Sequence, residues 1–466
     1  MSLYQHQQAA INKATLKKNF AYFMEMGTGK TRCVIEEAKN LYLYDDIDSV
    51  VIFAPKGVHS NWVDEIDKFC NCSYQAYLWS SSDSNRRKKM YYNLLTAPNP
   101  PFLQFFCLNI DAIRIKAVRE AINKHVEKGS CMLVIDESSR IKNHKAQRTK
   151  QLILAGRKAK YRRILSGTPI TKSPLDLFSQ YDFLDPKIIG IPSFYAFRNR
   201  YAIMKEIPTA GGAYIKIPVG FQNVSGLVEK VENHTFMIKK EECLDLPDKI
   251  YQTIKVDLTA EMRVNYQEVV RGLVAKYKDS VLLTENVLTE FLRVQQIVGG
   301  FFHGEGETHA YDPNPKLEEL KLLMESLENK SVIIWARFRN EIDMIHHAFP
   351  NSVVYDGRSS DIQRRVAIAE FQAETTRIFI GNQAAGGLGI NLTAADYVIY
   401  YSNSFDLEHR LQSEDRAHRI GQNRNVVYID LIAENTIDEH VLQALKQKQN
   451  YSELFKVSSF HIGDLL

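Results

Sequence analysis

The sequence predicts an α/β protein built on mostly parallel sheets, and three observations predict it. Apolar strand-like runs alternate with loops and helical stretches from Phe20 to Ser166. The same alternation resumes after Pro315. Between the two lies a stretch of different texture, with basic residues, glycine turns and a long helical pattern. The expected division is therefore residues 1–186, residues 187–310 as a mostly helical insertion, and residues 311–466.

The first half is organised around one strand and the turn after it. Phe20, Ala21, Tyr22 and Phe23 read as a short buried strand that breaks into Met26-Gly27-Thr28-Gly29-Lys30-Thr31. Glycines at 27 and 29 let the backbone turn tightly and point N–H groups inward. Lys30 offers a point charge to β- and γ-phosphates and Thr31 a hydroxyl to Mg²⁺. The helix that follows, Cys33 to Leu41, turns its N-terminus toward the anion. This pattern predicts a nucleoside triphosphate site, with Gly27, Thr28, Gly29, Lys30 and Thr31 as its cradle. Upstream, Gln5, Gln7 and Gln8 are crowded together. A glutamine there, Gln7 above all, can read an adenine edge, because an amide donates and accepts at once; a solvated first helix is the other reading.

Val50 to Ala54 is the next buried strand, and Ser60, Asn61 and Trp62 open a helix through Phe69. Arg86 to Lys89 is a basic run that suits either a solvated helix end or a nucleic-acid contact. Leu103 to Leu108 is a strand, and Cys131 to Ile135 is another that ends in Asp136-Glu137. Two carboxylates at the C-terminal end of a strand stand where an α/β sheet binds ligands. With the cradle upstream, Asp136 suits Mg²⁺ and Glu137 suits polarisation of the attacking water. Ile164 to Ser166 repeats the arrangement and runs into Gly167-Thr168-Pro169.

From Pro186 onward, Arg198, Arg200, Lys205 and Gly211-Gly212 suggest an irregular arm with a hairpin. Val256 to Val298 has helical apolar spacing. Gly299-Gly300, His303-Gly304, Gly306 and Asp312 to Pro315 read as a flexible joint. Beyond it come five strand candidates: Val332 to Ala336, Val353 to Tyr355, Arg377 to Ile380, Tyr397 to Tyr401 and Val426 to Ile432. Arg416 and Arg419 lie three apart, so on a helix they share a face. Either they stabilise charge on a transferred phosphate, a role worth roughly 10³–10⁵ in rate, or they pair with Glu414 or Asp415 on a solvated helix. Thr436 and Glu439 have the spacing of a capping box for the last helix.

Composition sets outer bounds. With 466 residues, 45% hydrophobic and 24% charged, the chain has room for two or three full cores. A net charge of +4 excludes a wholesale polycation but leaves room for a basic groove. The six scattered cysteines suit a reducing compartment, and Cys70 with Cys72 does not complete a zinc site. No apolar run approaches 18 residues, which argues against a membrane span.

Taken together, these motifs resemble the Swi/Snf-type (Snf-two) branch of the superfamily-two helicase-like ATPases, over nearly the entire chain. Glu25 to Thr31 resembles motif I; Ala54-Pro55-Lys56 with Trp62 and Glu65, motif Ia; Val134 to Asn143, motif II, the DEAH-type box. Ser166 to Pro169, followed by Phe183-Leu184-Asp185-Pro186, resembles motif III. Lys239 to Glu242 with Leu246-Pro247 continues the likeness, and Val332 to Ala336 resembles motif IV. Gly386 to Leu392 resembles motif V and Gln412 to Gln422 motif VI, where Asp415 to Gln422 is the most specific string. There are departures: Met24 stands where many members carry an acidic residue, and Ser138-Ser139 replaces Ala-His. The chain also stops soon after the second half, which the resemblance translates into a compact form without accessory domains.

The resemblance implies two RecA-like lobes with parallel sheets, closing on ATP and Mg²⁺ held by Thr31 and Asp136. It implies catalysis by Lys30, Asp136, Glu137, Arg416 and Arg419, with Gly387 among the nucleotide-binding residues. Double-stranded DNA is the implied partner, held without base specificity by Lys56, Trp62, Lys142, Gly387 and Asn391. The expected activity is DNA-stimulated ATP hydrolysis that drives movement along the duplex. Alternatives are a strand-separating or annealing helicase, the motor subunit of a restriction or defence complex with a partner on a separate chain, and a nucleotide-gated DNA clamp. A monomer on DNA is expected, away from membranes, in a bacterial or viral-host cytoplasm, or in a nucleus if the source is eukaryotic.

Overall fold

A computed structural model of the chain describes residues 2–447 except 56–57, 171–172, 209–213, 245, 278–283, 304–306 and 385–389. The fold consists of two compact units, Met1–Asp245 and Leu246–Leu466.

The first unit is built on a seven-stranded sheet. Six strands follow in chain order: β1 (Asn19–Met24), β2 (Ser49–Ala54), β3 (Tyr74–Leu78), β4 (Leu103–Asn109), β5 (Cys131–Asp136) and β6 (Tyr161–Leu165). An antiparallel hairpin of β7 (Ala202–Pro208) and β8 (Tyr214–Phe221) stands apart from the sheet, as the basic, glycine-turned stretch predicts. Then β9 (Thr235–Ile238) returns to pair with β1. The sheet order is β3-β4-β2-β5-β6-β1-β9, and every pairing in it is parallel. Strands β1, β2 and β5 are buried along their whole length, as their continuous apolar runs require when helices cover both faces. A buried ion pair pins the sheet to its helices. Arg163 on β6 donates to Glu37 of helix Lys30–Leu43 and to the carbonyls of Lys17 and Lys18, while the Tyr22 hydroxyl donates to Glu37.

The second unit carries a six-stranded, all-parallel sheet. Its strands are β10 (Lys249–Val256), β13 (Val332–Trp335), β14 (Ser352–Tyr355), β15 (Ile378–Gly381), β16 (Tyr397–Tyr400) and β17 (Val426–Ala433). Their order is β10-β17-β16-β13-β15-β14. The numbers between belong to a small antiparallel pair, β11 (Phe301–His303) and β12 (Thr308–Ala310). The long helical stretch appears as helices Ala260–Tyr277 and Thr284–Val298. Residues 187–310 thus contribute elements to both units. No helix among the described residues is long and apolar enough to cross a membrane.

Three local expectations are revised. The Gly299-Gly300 joint is clamped rather than loose: Tyr401 Oη and Asn314 Nδ2 both donate to the Gly299 carbonyl, and a Cβ on Gly299 would lie 2.3 Å from Glu341. Gly304 and Gly306 lie outside the described residues. Thr436 caps helix Ile437–Lys446 through the Asp438 N–H, while Glu439 reaches out to Lys255, so no reciprocal box forms. Three edge or near-edge strands, β3, β9 and β10, have no counterpart in the sequence reading. Each is short or largely exposed, and so lacks the apolar run that marks a central strand.

Candidate functional site: a phosphate cradle and an arginine-bearing turn

Strands β5, β6 and β1 are neighbours in that order, so the loops leaving their C-terminal ends are neighbours too. Those loops carry Asp136-Glu137, Ser166 to Pro169 and the 25–29 turn. Parallel pairing therefore gathers in space what the sequence spreads over some 140 positions.

The 25–29 turn is set by its glycines. Gly27 and Gly29 have φ of +81° and +92°, a region that side chains disfavour. Gly29 is the N-cap of helix Lys30–Leu43 and makes no side-chain cap, which leaves the helix's first N–H groups for an anion. Two residues brace the turn from helix Gln5–Thr15: His6 Nε2 lies 2.9 Å from the Thr28 carbonyl, and Gln7 Nε2 donates to it at 3.0 Å. A Cβ on Gly29 would come within 2.2 Å of that Gln7 nitrogen, a second reason for glycine there. Gln7 is buried, and its Oε1 accepts from Tyr4 N. One amide hydrogen and one lone pair remain on Gln7. Lys30 is buried, and its ammonium donates to the carbonyls of Met24 and Glu25 at 2.8 and 3.3 Å. Thr31 follows it in the first helical turn, half-buried. Gly167 abuts Met26, since a Cβ there would lie 3.1 Å from the Met26 nitrogen.

Asp136 ends β5 inside the protein. It accepts from Trp62 Nε1 on Oδ2 and from Glu137 N on Oδ1, both at 2.9 Å. Burial pushes its pKa above the ordinary range, while the Trp62 bond and the Lys30 charge pull it back. Glu137 is buried with φ of +51°. Beside the cradle lies a cavity of about 800 Å³ whose lining includes Tyr4, His6, Ala9, Phe236, Ile238 and Glu241. The Tyr4 and His6 rings stack there with centroids 5.8 Å apart.

Trp62, expected on DNA, has a different place. It is 1% exposed on helix His59–Phe69, and its indole N–H is committed to Asp136, so it positions a carboxylate. Lys142 is half-buried, with its carbonyl accepting from Ser179 Oγ. Asn391 is exposed. Lys56 and Gly387 lie outside the described residues.

In the second unit, helix Leu407–Glu414 stops before the arginines, and residues 415–420 form successive turns. Arg416 and Arg419 therefore do not share a helix face as the three-residue spacing suggests. The Arg416 guanidinium stacks over Trp335 at 4.7 Å and donates to the Gln383 carbonyl at 3.2 Å. Burial lowers its pKa to about 10, which still leaves it charged near neutrality. Arg419 is half-buried and donates to the Ile390 carbonyl at 3.4 Å. Glu414, one of the two carboxylates offered as an alternative partner for these arginines, takes Arg410, Lys249 and Tyr251.

Sequence reasoning assigned no role to three residues. Arg410 holds Asp430 and Glu414 beneath the Tyr400 ring. Gln422 donates from Nε2 to the carbonyls of Thr393, Ala395 and Ala417, clasping the arginine turn to the loop before β16. Gln180 joins the Ser138 hydroxyl to the Pro169 carbonyl. Arg410 shows locally only its i,i+4 spacing to Glu414 and Gln422 only its place in the string Asp415 to Gln422, while Asp430, Thr393 and Ser138 are brought to the three side chains by tertiary packing.

Residues 5–299 match the SNF2-related domain, and residues 315–421 match the helicase conserved C-terminal domain. The chain belongs to the SNF2-related family. It is 30% identical over 439 residues to an uncharacterized ATP-dependent helicase of Mycoplasma genitalium, covering 91% of this chain and 39% of that protein. It is 24% identical over 455 residues to the chromatin remodeling factor mit1 of Schizosaccharomyces pombe, covering 91% and 30% respectively. The chain thus spans about two-fifths or less of the length of these SNF2-related relatives. It also aligns with the Sulfolobus solfataricus SWI2/SNF2 ATPase core in complex with dsDNA. That alignment covers 100% of this chain and 97% of the other, with 22% identity and a TM-score of 0.43.

Proposed function

We propose that this SNF2-related chain is a DNA-dependent ATPase that moves along duplex DNA without reading its sequence. The observation that carries the reading is the first unit's site. An uncapped helix N-terminus, two left-handed glycines and Lys30 form an anion cradle beside a buried strand-end carboxylate. Gly27 to Thr31 would hold the triphosphate, and Thr31 and Asp136 a Mg²⁺ ion; a cation is what a carboxylate kept buried next to a phosphate site calls for. Bound there, the metal would neutralise phosphate charge. Gln7 keeps one donor and one acceptor for an adenine edge, and the adjoining cavity with its Tyr4–His6 stack suits the base. Glu137 would orient the attacking water, and Arg416 and Arg419 would serve turnover rather than ATP binding.

The DNA half of the reading is supported by family membership and by charge. Arg86 to Lys89 occupy the first turns of helix Asn85–Thr96, where the helix dipole repels cations. Arg86 and Lys89 are exposed and make no side-chain bond among the described residues. Arg87 pairs with Asp83 and Lys88 donates to the Ser81 carbonyl, so within the run it is Arg86 and Lys89 that suit phosphates, as do exposed Asn391 and half-buried Lys142. Steady-state ATPase with and without duplex DNA tests the reading. Stimulation by duplex, together with displacement of a triplex-forming strand from a blunt duplex, is expected. Turnover that ignores duplex DNA would overturn the motor, and release of one strand from a fork without triplex displacement would favour a strand-separating helicase.

A further inference from the structure

Glu137 is held in a conformation that a glutamate avoids. A left-handed φ of +51° on a non-glycine residue is strained and persists only where the surroundings impose it. Two hydrogen bonds that flank this residue are visible. Its own N–H donates to Asp136 Oδ1, and the next residue, Ser138, donates its hydroxyl to Gln180 Oε1 at 2.6 Å. Gln180 sits on helix Leu177–Leu184 and is fully buried, as is Ser138. The Gln180 amide nitrogen donates in turn to the Pro169 carbonyl at 2.7 Å and to the Asp176 carbonyl at 2.9 Å.

One buried amide therefore ties together the turn after β5, the loop after β6 and the start of its own helix. An aliphatic side chain of similar volume would fill the space without the desolvation cost of an amide. What the amide adds is direction, since it fixes the Ser138 hydroxyl relative to the Pro169 carbonyl and so the strained turn between them. Ser166 and Gly167, on the same loop, stand against the cradle: Ser166 N donates to the Tyr22 carbonyl, and Gly167 abuts Met26. We propose that Gln180 is a positioning residue for hydrolysis, setting the Glu137 carboxylate against the cradle through Ser138 and the 166–169 loop. This rests on the ATPase reading above. Gln180 acts on the reacting atoms only through these neighbours.

The test compares Gln180→Leu, Ser138→Ala and the double variant with the wild-type chain, at saturating duplex DNA. Gln180→Leu is expected to lower kcat about tenfold with KM for ATP within about twofold, because binding groups are untouched and only orientation is lost. Ser138→Ala is expected to do much the same, and the double variant to be no worse than Gln180→Leu, since both act through one link. A Gln180→Leu kcat within about twofold of wild type would overturn the proposal. So would a KM that rises in step with the fall in kcat, or a double variant at the product of the two single effects. If Gln180→Leu loses its cooperative melt, Ser138→Ala decides, because it removes one hydroxyl and leaves the packing; a wild-type kcat there overturns the link. A wild-type chain with no ATP turnover would instead sink the ATPase reading itself.

Discussion

The two units of this chain shape their charged turns by opposite means. In the first, the 25–29 turn is shaped by backbone freedom at Gly27 and Gly29, and the donors that matter are main-chain N–H groups left uncapped. In the second, the turn bearing Arg416 and Arg419 is shaped by side chains. Gln422 clasps three carbonyls, Arg410 binds two carboxylates, and Trp335 floors the Arg416 guanidinium. A site built from open backbone is ready for an anion. A turn held by buried side chains presents charge only where those side chains allow it.

The sharpest break of this comparison is kinetic. Lys30→Ala is expected to reduce ATP turnover by roughly 10²-fold or more, since it removes the cradle's fixed positive charge. Arg416→Ala is expected to keep ATP binding and lose turnover, which equilibrium binding of a fluorescent ATP analogue beside steady-state rates would show. Equal losses of ATP affinity in both variants would erase the distinction between the two loops.

Next in size come the buried ion pairs. Arg163→Met takes the cation from Glu37 in the first unit, and Arg410→Met takes it from Asp430 in the second, where Glu414 keeps Lys249. Breaking such a pair typically costs about 3–5 kcal/mol, and the two substitutions should cost similar amounts because each leaves one buried carboxylate without its cation. Urea midpoints measure this, and a much larger loss for Arg163→Met would show that the first unit, too, leans chiefly on its side-chain network.

The smallest expected effect is on pH dependence, and its sign differs between units. His125 is buried between the Leu95 carbonyl and the Ser49 hydroxyl, and burial lowers its pKa to about 4. Its contribution is complete above the ordinary histidine value and is lost as pH falls from about 6.5 toward 4. Burial raises Glu341 to about 7, so its contribution is complete below the ordinary glutamate value and is lost as pH rises from about 4.5 through 7. Each shift corresponds to about 3 kcal/mol. His125→Gln should flatten the acid side of a melting-temperature profile and Glu341→Gln the neutral side; a profile unchanged by either substitution would mean the groups stay solvated.

The sequence by itself determined the α/β class, the central strands and the left-handed glycine turn before Lys30. Those depend on local rules: continuous apolar runs for strands covered on both faces, and glycine where a left-handed turn is needed. It determined the family as well, through strings such as Asp415 to Gln422. Only the tertiary structure decided what the polar side chains do. Trp62 was legible as an aromatic near a strand end, yet its partner Asp136 lies 74 positions away, and the fold turns it inward. The spacing of Arg416 and Arg419 implied a shared helix face, but helix Leu407–Glu414 ends first and the two arginines go to different carbonyls. Gln180 carried no signal at all. A buried amide takes its meaning from the groups that packing brings to it, and Ser138, 42 positions away, is hidden from any local pattern.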